Sequence, residues 1–168
     1  MDERDSMAVA APRPGGILRV LFKAPTLLFR LRLGRLLGRR FLLLAHRGRA
    51  SRRLYRTPLE VVRYDPAKPE AVVVAAWGER ADWYRNITVS PPVEVRVAGC
   101  RWPRPQHRRL TPDETLALLE DYRREHPLAA RAIARFLGWP LQATGAAWQA
   151  FARSVVAVAF SPRPEDRP

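Results

Sequence analysis

FLLLAHRGRASRRLYRTPLE, residues 41–60, is the stretch that decides the fold of this chain. Its first five residues form an uninterrupted apolar run, which is typical of a strand buried on both faces. A polar turn follows over residues 46–52, and an extended pattern resumes over residues 54–64. Because Pro58 cannot donate a hydrogen bond to a sheet, it predicts an edge or a bulge in the second strand. The stretch therefore predicts two strands joined by a turn rich in arginine.

Patterns downstream predict more strands and two longer helices. Thr111, followed by Pro112 and Glu114, has the features of a helix start with a capping box. The predicted elements are a strand at 71–76, a short helical turn around 82–86, a strand at 93–97, an irregular strand at about 101–110, helices at about 111–125 and on to residue 137, and a strand at 154–160. This order indicates a mainly β fold with α, in which an antiparallel sheet avoids exposed edges by closing into a small barrel.

The length of 168 residues and the hydrophobic content of 47% suffice for one domain with its own core, which excludes disordered and collagen-like chains. We expect a flexible N-terminal arm over residues 1–16, a basic amphipathic helical segment over 17–38, the barrel domain over 39–161 and a C-terminal tail over 162–168. Charges interrupt the apolar residues near the N-terminus, so neither a secretory signal nor a membrane span is predicted.

Positive charge is concentrated in the first third of the chain. There are 30 Lys and Arg residues against 16 Asp and Glu, and no acidic residue lies between Asp5 and Glu60. Such a field attracts an anion, which could be lipid headgroups, nucleic acid or a polyanionic cofactor. For residues 17–38 two interpretations stay open: a helix lying on an anionic membrane, or a helix that covers the domain and solvates its arginines.

The usual catalytic motifs are missing from the sequence. It has no Gly-x-Ser-x-Gly elbow, no Walker loop and no dinucleotide glycine fingerprint. The single cysteine, Cys100, excludes an internal disulfide and a multi-cysteine metal site, and no metal is expected. We interpret His46, His107 and His126 as surface or turn residues, because they lack the spacing of metal ligands. If the protein is an enzyme, a bound cofactor must supply the difficult chemistry.

Two segments are candidates for binding such a cofactor. Residues 46–57 alternate arginines with small residues between two strands, which suits phosphate or carboxylate oxygens, although a solvated basic turn has the same composition. Trp77-Gly78 and residues 82–86 place Trp83 and Tyr84 where they could form an aromatic wall, or an aromatic core cluster.

Together the two segments resemble the deazaflavin (F420)-dependent nitroreductase family, also described as F420H2-dependent quinone reductases. The resemblance runs from about residue 25 to 137. Residues 40–60 are similar to the family pattern R-F-L-L-L-T-H-R-G-R-[KR]-S-G-x-x-R-x-T-x-L-E, and Trp77-Gly78 with residues 82–86 to its W-G…[DP]-W-[FY]-x-N element. The resemblance implies a split β-barrel and coenzyme F420, whose tail carries a phosphodiester and glutamate carboxylates.

The resemblance also implies roles for individual residues. The phosphate end of the cofactor is assigned to Arg49, Ser51, Arg53, Arg56 and Thr57, with Arg52 as a substitute cation. The ring is assigned to backbone at Ala75, Ala76, Trp77 and Gly78, together with Trp83 and Asn86, and Tyr84 is the candidate proton donor. Two positions depart from the pattern: Ala50 replaces a basic residue, and Arg52 replaces a turn glycine. Either Arg52 adopts a strained positive φ, or the turn has changed shape.

The implied function is an F420H2-dependent oxidoreductase that passes a hydride to a small-molecule acceptor: a quinone, a nitro compound or an activated enone. One alternative is a non-catalytic split-barrel protein that binds flavin, haem or lipid. Another is a basic binder of membrane surfaces or nucleic acid, although few aromatic residues accompany the arginines and no nucleic acid is expected. We expect a monomer or homodimer in the cytoplasm, peripheral on the inner face of the cell membrane if residues 17–38 bind lipid.

Overall fold

The computed structural model describes residues 38–75, 77–140 and 143–166. The predicted arm over residues 1–16 lies outside the described residues. So does the basic helical segment over 17–38 except for Gly38, and so does Ala76, a predicted cofactor contact.

Seven strands in the described part of the chain form one antiparallel sheet. Their bounds are β1 Phe41–Arg47, β2 Leu54–Asp65, β3 Glu70–Ala75, β4 Glu94–Val97, β5 Cys100–Pro103, β6 Gln106–Arg109 and β7 Val156–Ser161. Neighbouring strands follow the order β5-β4-β1-β2-β3-β7-β6. The apolar run of β1 is central to this sheet and is buried on both faces, as its sequence predicts.

The sheet curls into a barrel that stays open along one seam. Its two edge strands, β5 and β6, are separated in the chain only by Arg104 and Pro105. Three Cα steps span at most about 11 Å, so the two edges must lie side by side. Among the described strands, β5 and β6 do not pair with each other. A curled antiparallel sheet with one unpaired seam is a split β-barrel, and the predicted fold class is confirmed.

Pro58 lies in β2 where the strand is paired on one side only. It pairs with Leu43 of β1, while β3 pairs with β2 only from Val61 onward, after which the register shifts. On its other side, β2 has no described partner at Pro58. The missing N–H therefore costs no ladder hydrogen bond.

Four helices in the described residues surround the sheet. They are α1 Asp82–Val89, preceded by a 3₁₀ turn at Gly78–Arg80, α2 Pro112–Glu125, α3 Pro127–Leu137 and α4 Gly145–Ser154. The predicted capping box of α2 is present: the Thr111 hydroxyl accepts from the Glu114 N–H, and the Glu114 carboxylate accepts from the Thr111 N–H. No helix within 38–75, 77–140 and 143–166 is long and apolar enough to cross a membrane.

The main core fills the barrel. Leu42 and Leu44 of β1, Val73 of β3, Phe160 of β7 and Trp83 of α1 all belong to it. Two smaller clusters lie outside the barrel, one between the sheet and α2 and one between α2 and α4. Trp83 therefore anchors α1 to the barrel interior, and this fixes where the rest of the helix lies.

Two elements differ from the sequence-based expectation. The irregular strand expected at 101–110 is two strands, β5 and β6, separated at Arg104, which has a φ of +44°. Helix α4 was not predicted at all. Pro140 and Gly145 resemble a loop, but the alanine-rich sequence of α4 favours a helix, and its Trp148 and Ala152 pack against Leu119.

Candidate functional site

A cavity of about 680 Å³ lies between the β1–β2 turn and the first turn of α1. Both sequence segments contribute to its lining. From the first come His46, Gly48, Arg49, Ala50, Ser51, Tyr55 and Thr57, and from the second come Trp77, Arg80, Ala81, Asp82, Trp83 and Asn86. The fold therefore joins into one cavity two segments that are about 30 residues apart in the sequence.

The β1–β2 turn is closed by its own backbone. The Gly48 N–H donates to the Arg53 carbonyl and the Arg52 N–H donates to the Gly48 carbonyl, both at 2.9 Å. A Cβ on Gly48 would lie 2.6 Å from Ser51 Oγ and 2.8 Å from Tyr55 Cε2, so a larger residue there would displace these two side chains. The turn thereby holds the hydroxyls of Ser51 and Tyr55 together, 3.2 Å apart, at the cavity.

Asn86 of α1 connects the helix to this turn. Its Oδ1 accepts from the Arg49 backbone N–H at 2.9 Å and from Arg49 Nη1 at 3.3 Å. Because a backbone N–H can only donate, the amide oxygen must face Arg49, and the amide nitrogen must face the other way. Asn86 is buried, so this orientation is fixed by its partners.

The amide nitrogen of Asn86 lies 3.2 Å from Nδ1 of His46, and His46 Nε2 lies 3.0 Å from Thr57 Oγ1. Since Asn86 donates to Nδ1, that nitrogen carries no proton, and the ring is the neutral tautomer with its proton on Nε2. Burial lowers the pKa of His46, and the nearby Asp82 carboxylate opposes this shift. The expectation of a surface or turn histidine was wrong, because His46 is only 3% exposed.

Charges at the cavity are mixed. Arg49 Nη1 donates to Asp82 Oδ1 at 2.9 Å, forming an ion pair between the turn and the start of α1. Arg80 also lines the cavity, and its side chain makes no hydrogen bond within the described part of the chain. With His46 neutral, two guanidinium groups face one carboxylate, so the lining is weakly positive.

Aromatic side chains form two sides of the cavity. Trp77 is 48% exposed and Tyr55 is 46% exposed, although both are large and apolar. Tyr55 stacks on His46 with ring centroids 6.0 Å apart, and Trp83 reaches the cavity from the barrel core. Flat surfaces with polar groups between them suit a planar ligand.

The structure describes twelve of the predicted site residues. Six of them line the cavity and six do not. Those at the cavity are Arg49, Ser51, Thr57, Trp77, Trp83 and Asn86, whereas Arg52, Arg53, Arg56, Ala75, Gly78 and Tyr84 are absent from its lining. Ala75 is buried in the core, and Gly78 starts the 3₁₀ turn with a φ of +56°.

Arg56, which was assigned to the cofactor phosphate, does not line the cavity, and strand alternation explains why. Tyr55 and Thr57 line the cavity, so Arg56 between them projects from the opposite face of β2, across from Ala45. The family pattern held the signal, because its arginine precedes the threonine by two residues. Aligned on Thr57, that arginine position is occupied by Tyr55.

The other predicted site residues outside the cavity lining have different partners. The Arg52 guanidinium donates to Ser90 Oγ at 3.1 Å, and Arg53 contributes its backbone to the turn. Tyr84 was proposed as proton donor, but it packs against the barrel core beside Arg109 and does not reach the cavity. The phenol that does line the cavity is Tyr55.

Sequence reasoning missed seven lining residues: His46, Gly48, Ala50, Tyr55, Arg80, Ala81 and Asp82. A signal existed for two of them. His46 and Tyr55 pair across β1 and β2, and each lies two residues from an inward-facing position, Leu44 and Thr57. Period-two alternation carried to the strand ends would have placed both on the cavity side.

The family model described as F420H(2)-dependent quinone reductase matches residues 30–132. No curated protein matches.

Three solved structures share part of the architecture. One is described as the structure of an F420-H2 dependent reductase (FDR-A), with 16% identity, coverage of 74% of this chain and 96% of that one, and a TM-score of 0.48. A second, described as a domain-swapped dimer, has 17% identity, coverage of 82% and 100%, and a TM-score of 0.49. A third is a pyridoxamine 5'-phosphate oxidase-related, FMN binding protein from Nostoc punctiforme, with 14% identity, coverage of 83% and 80%, and a TM-score of 0.45.

The family match extends over more than half of the chain and includes both segments that line the cavity, from the β1–β2 turn to Asn86. This protein therefore belongs to the F420H(2)-dependent quinone reductase family.

Proposed function

We propose that the protein is an oxidoreductase that uses reduced coenzyme F420 to reduce a quinone, a nitro compound or an activated enone. The observation that carries the proposal is a single cavity in which a basic turn, fixed by Asn86, meets exposed aromatic side chains. Family membership supplies the class of cofactor, and the cavity supplies a place for it.

The cavity residues fit a cofactor with a flat ring and an anionic tail. The cavity volume of about 680 Å³ lies within the range of ordinary ligand sites. Arg49 and the Ser51 hydroxyl are suited to hold the phosphodiester. The N–H groups of Ala50 and Ser51 make no hydrogen bond within the described residues, so they add two further donors.

The aromatic side of the cavity would hold the ring. Trp77, Trp83 and Tyr55 offer flat surfaces. The polar groups of the lining include the Asn86 amide and the neutral His46 ring, which are hydrogen-bonded to each other. When bound, reduced F420 supplies the hydride. The chain's own contribution is to orient the donor and the acceptor and to exclude water from the space between them.

Binding of F420 tests the proposal directly. Titration of the full-length protein with F420 should quench tryptophan fluorescence in a saturable way, because Trp77 and Trp83 line the cavity. Replacing Arg49 with alanine removes a charged donor to the phosphodiester, so we expect Arg49→Ala to weaken binding by roughly 10- to 100-fold.

Arg56→Ala is the matched control, since Arg56 is also an exposed arginine of the same segment but lies on the other face of β2. Its affinity for F420 should equal that of the wild type. Absence of quenching in the wild type, or equal losses in the two variants, would contradict the proposal. Oxidation of reduced F420 in the presence of a quinone, a nitroarene or an enone then identifies the acceptor.

A further inference from the structure

Asp82 is a carboxylate in a cavity assigned to an anionic ligand. It is the first residue of α1, lines the cavity, and its side chain is 81% exposed. Its Oδ1 accepts from Arg49 Nη1 at 2.9 Å. A phosphate bound by Arg49 would therefore lie close to a second negative charge that already shares the same guanidinium.

The Arg49 guanidinium lies between Asp82 and Asn86. The Arg49 backbone N–H and Nη1 both donate to Asn86 Oδ1, and Asn86 is buried and bound to His46. The guanidinium that meets a ligand is thus held beside the carboxylate. An anion that binds to this guanidinium lies next to Asp82. The charge of the anion therefore determines how strongly Asp82 repels it.

Two of the neighbouring arginines, Arg47 and Arg52, do not offset this carboxylate inside the cavity. Arg47 Nη1 donates to the Arg52 carbonyl, and the Arg52 side chain donates to Ser90, so both are directed to the turn and to the end of α1. Within the described residues, Arg80 is the second guanidinium that lines the cavity.

We propose that Asp82 is a specificity-determining residue: its charge shifts the preference of the cavity toward a monoanionic phosphodiester and away from a dianionic phosphomonoester at Arg49. The inference rests on the proposed function in taking Arg49 as the phosphate contact. Each unit of ligand charge near Asp82 adds one repulsive interaction, so a dianion is penalised about twice as strongly as a monoanion.

Asp82→Asn tests this inference while preserving the geometry. The asparagine Oδ1 can still accept from Arg49 Nη1, so the variant removes the charge and retains the hydrogen bond. The probes are F420, FMN and riboflavin, which have related flat rings. The phosphorus group placed at Arg49 is a phosphodiester in F420 and a phosphomonoester in FMN, and riboflavin has none; the glutamate carboxylates of F420 follow its phosphodiester and are not the group placed at Arg49. Their dissociation constants are measured by fluorescence for the wild type and the variant at low ionic strength, where screening is weak.

We expect Asp82→Asn to tighten FMN binding roughly 25-fold and F420 binding roughly fivefold, since one charge pair at about 4 Å in a water-like medium corresponds to about a factor of five. Riboflavin binding should stay unchanged. Glu79→Gln is the control, because Glu79 is an exposed carboxylate of the adjacent 3₁₀ turn, is paired with Arg109 and lies outside the cavity lining. It should leave all three affinities unchanged.

An equal change for FMN and riboflavin, or no change in the ratio of FMN to F420 affinity, would overturn the inference. If F420 binds to the wild type in an Arg49-dependent manner and Asp82→Asn behaves like the wild type, the proposed function stands and only the role of Asp82 fails. If the wild type and the variant bind none of the three probes, both fail.

Discussion

Arg52 is the residue at which the backbone of the turn is strained. Its φ is +56°, its N–H donates to the Gly48 carbonyl, and its guanidinium donates to Ser90 Oγ. The family pattern has glycine at this position, and the sequence left two outcomes open: strain, or a turn of different shape. The structure shows the left-handed conformation with arginine in place, so the residue is strained and its side chain binds the end of α1.

Replacing Arg52 with glycine separates the strain from the side-chain contact. Arg52→Gly and Arg52→Ala both lose the hydrogen bond to Ser90, but glycine alone relieves the positive φ. We expect the free energy of unfolding of Arg52→Gly to exceed that of Arg52→Ala by about 1 kcal/mol. Urea unfolding of the two variants measures the difference, and equal stabilities would show that the turn is unstrained.

At the residue scale, the sequence predicted which types of side chain line the cavity better than it predicted which individual residues do. Arg49, Ser51, Thr57, Trp83 and Asn86 were predicted for the site and do line one cavity. Arg56 was not separable from its neighbours by composition, because an arginine in a basic turn looks the same whichever face it occupies. Strand alternation between the two lining residues Tyr55 and Thr57 shows its side of the sheet.

Strand β1 and helix α1 are joined at the cavity by one pair of side chains, His46 and Asn86. The histidine is the last buried residue of β1, and Asn86 lies in the middle of α1. Protonation of His46 would place a donor opposite the Asn86 amide nitrogen, which is itself a donor. The junction between the two elements therefore requires the neutral ring.

Stability should depend on pH through this junction. The folded protein lowers the pKa of His46 below its ordinary value of 6.5, so the unfolded chain binds more protons as the pH falls below about 6.5. The His46 contribution is therefore fully present above that pH and is lost progressively below it. Urea unfolding at pH 7.5 and at pH 5.5, values on either side of about 6.5, measures this loss.

His46→Gln provides the comparison, because a glutamine can accept from Asn86 and donate to Thr57 without titrating. Its free energy of unfolding should fall less between the two pH values than that of the wild type. The pKa of His107 is also lowered by burial. Because His107 is present in both proteins, its contribution to the pH dependence cancels in the comparison. Identical pH dependence in the two proteins would show that His46 does not couple β1 to α1.

At the element scale, two features predicted from short stretches of sequence are present in the structure. The capping box at Thr111 and the apolar run of β1 form the expected helix start and buried strand. Helix α4 was not predicted although its local sequence favours a helix, since it is rich in alanine and places Trp148 and Ala152 four residues apart. Local patterns could not show that β5 and β6 separate at Arg104.

At the scale of the whole molecule, the barrel assembles the site. β1, β2 and β3 are neighbours in the sheet, so the turn after β1 and the segment after β3 meet at one end of the barrel. The excess of positive charge predicted an anionic ligand, but the net charge of the chain does not show where such a ligand binds. Part of it lies outside the described residues, and Arg56 lies on the face away from the cavity.

A crystal structure of the protein in complex with F420 tests the central claim most directly. We expect phosphodiester oxygens within about 3 Å of the Arg49 guanidinium and of the Ser51 hydroxyl, and the deazaflavin ring against Trp83 and Trp77. A cofactor bound on the opposite face of β2 beside Arg56, or bound with no contact to Arg49, would contradict the account.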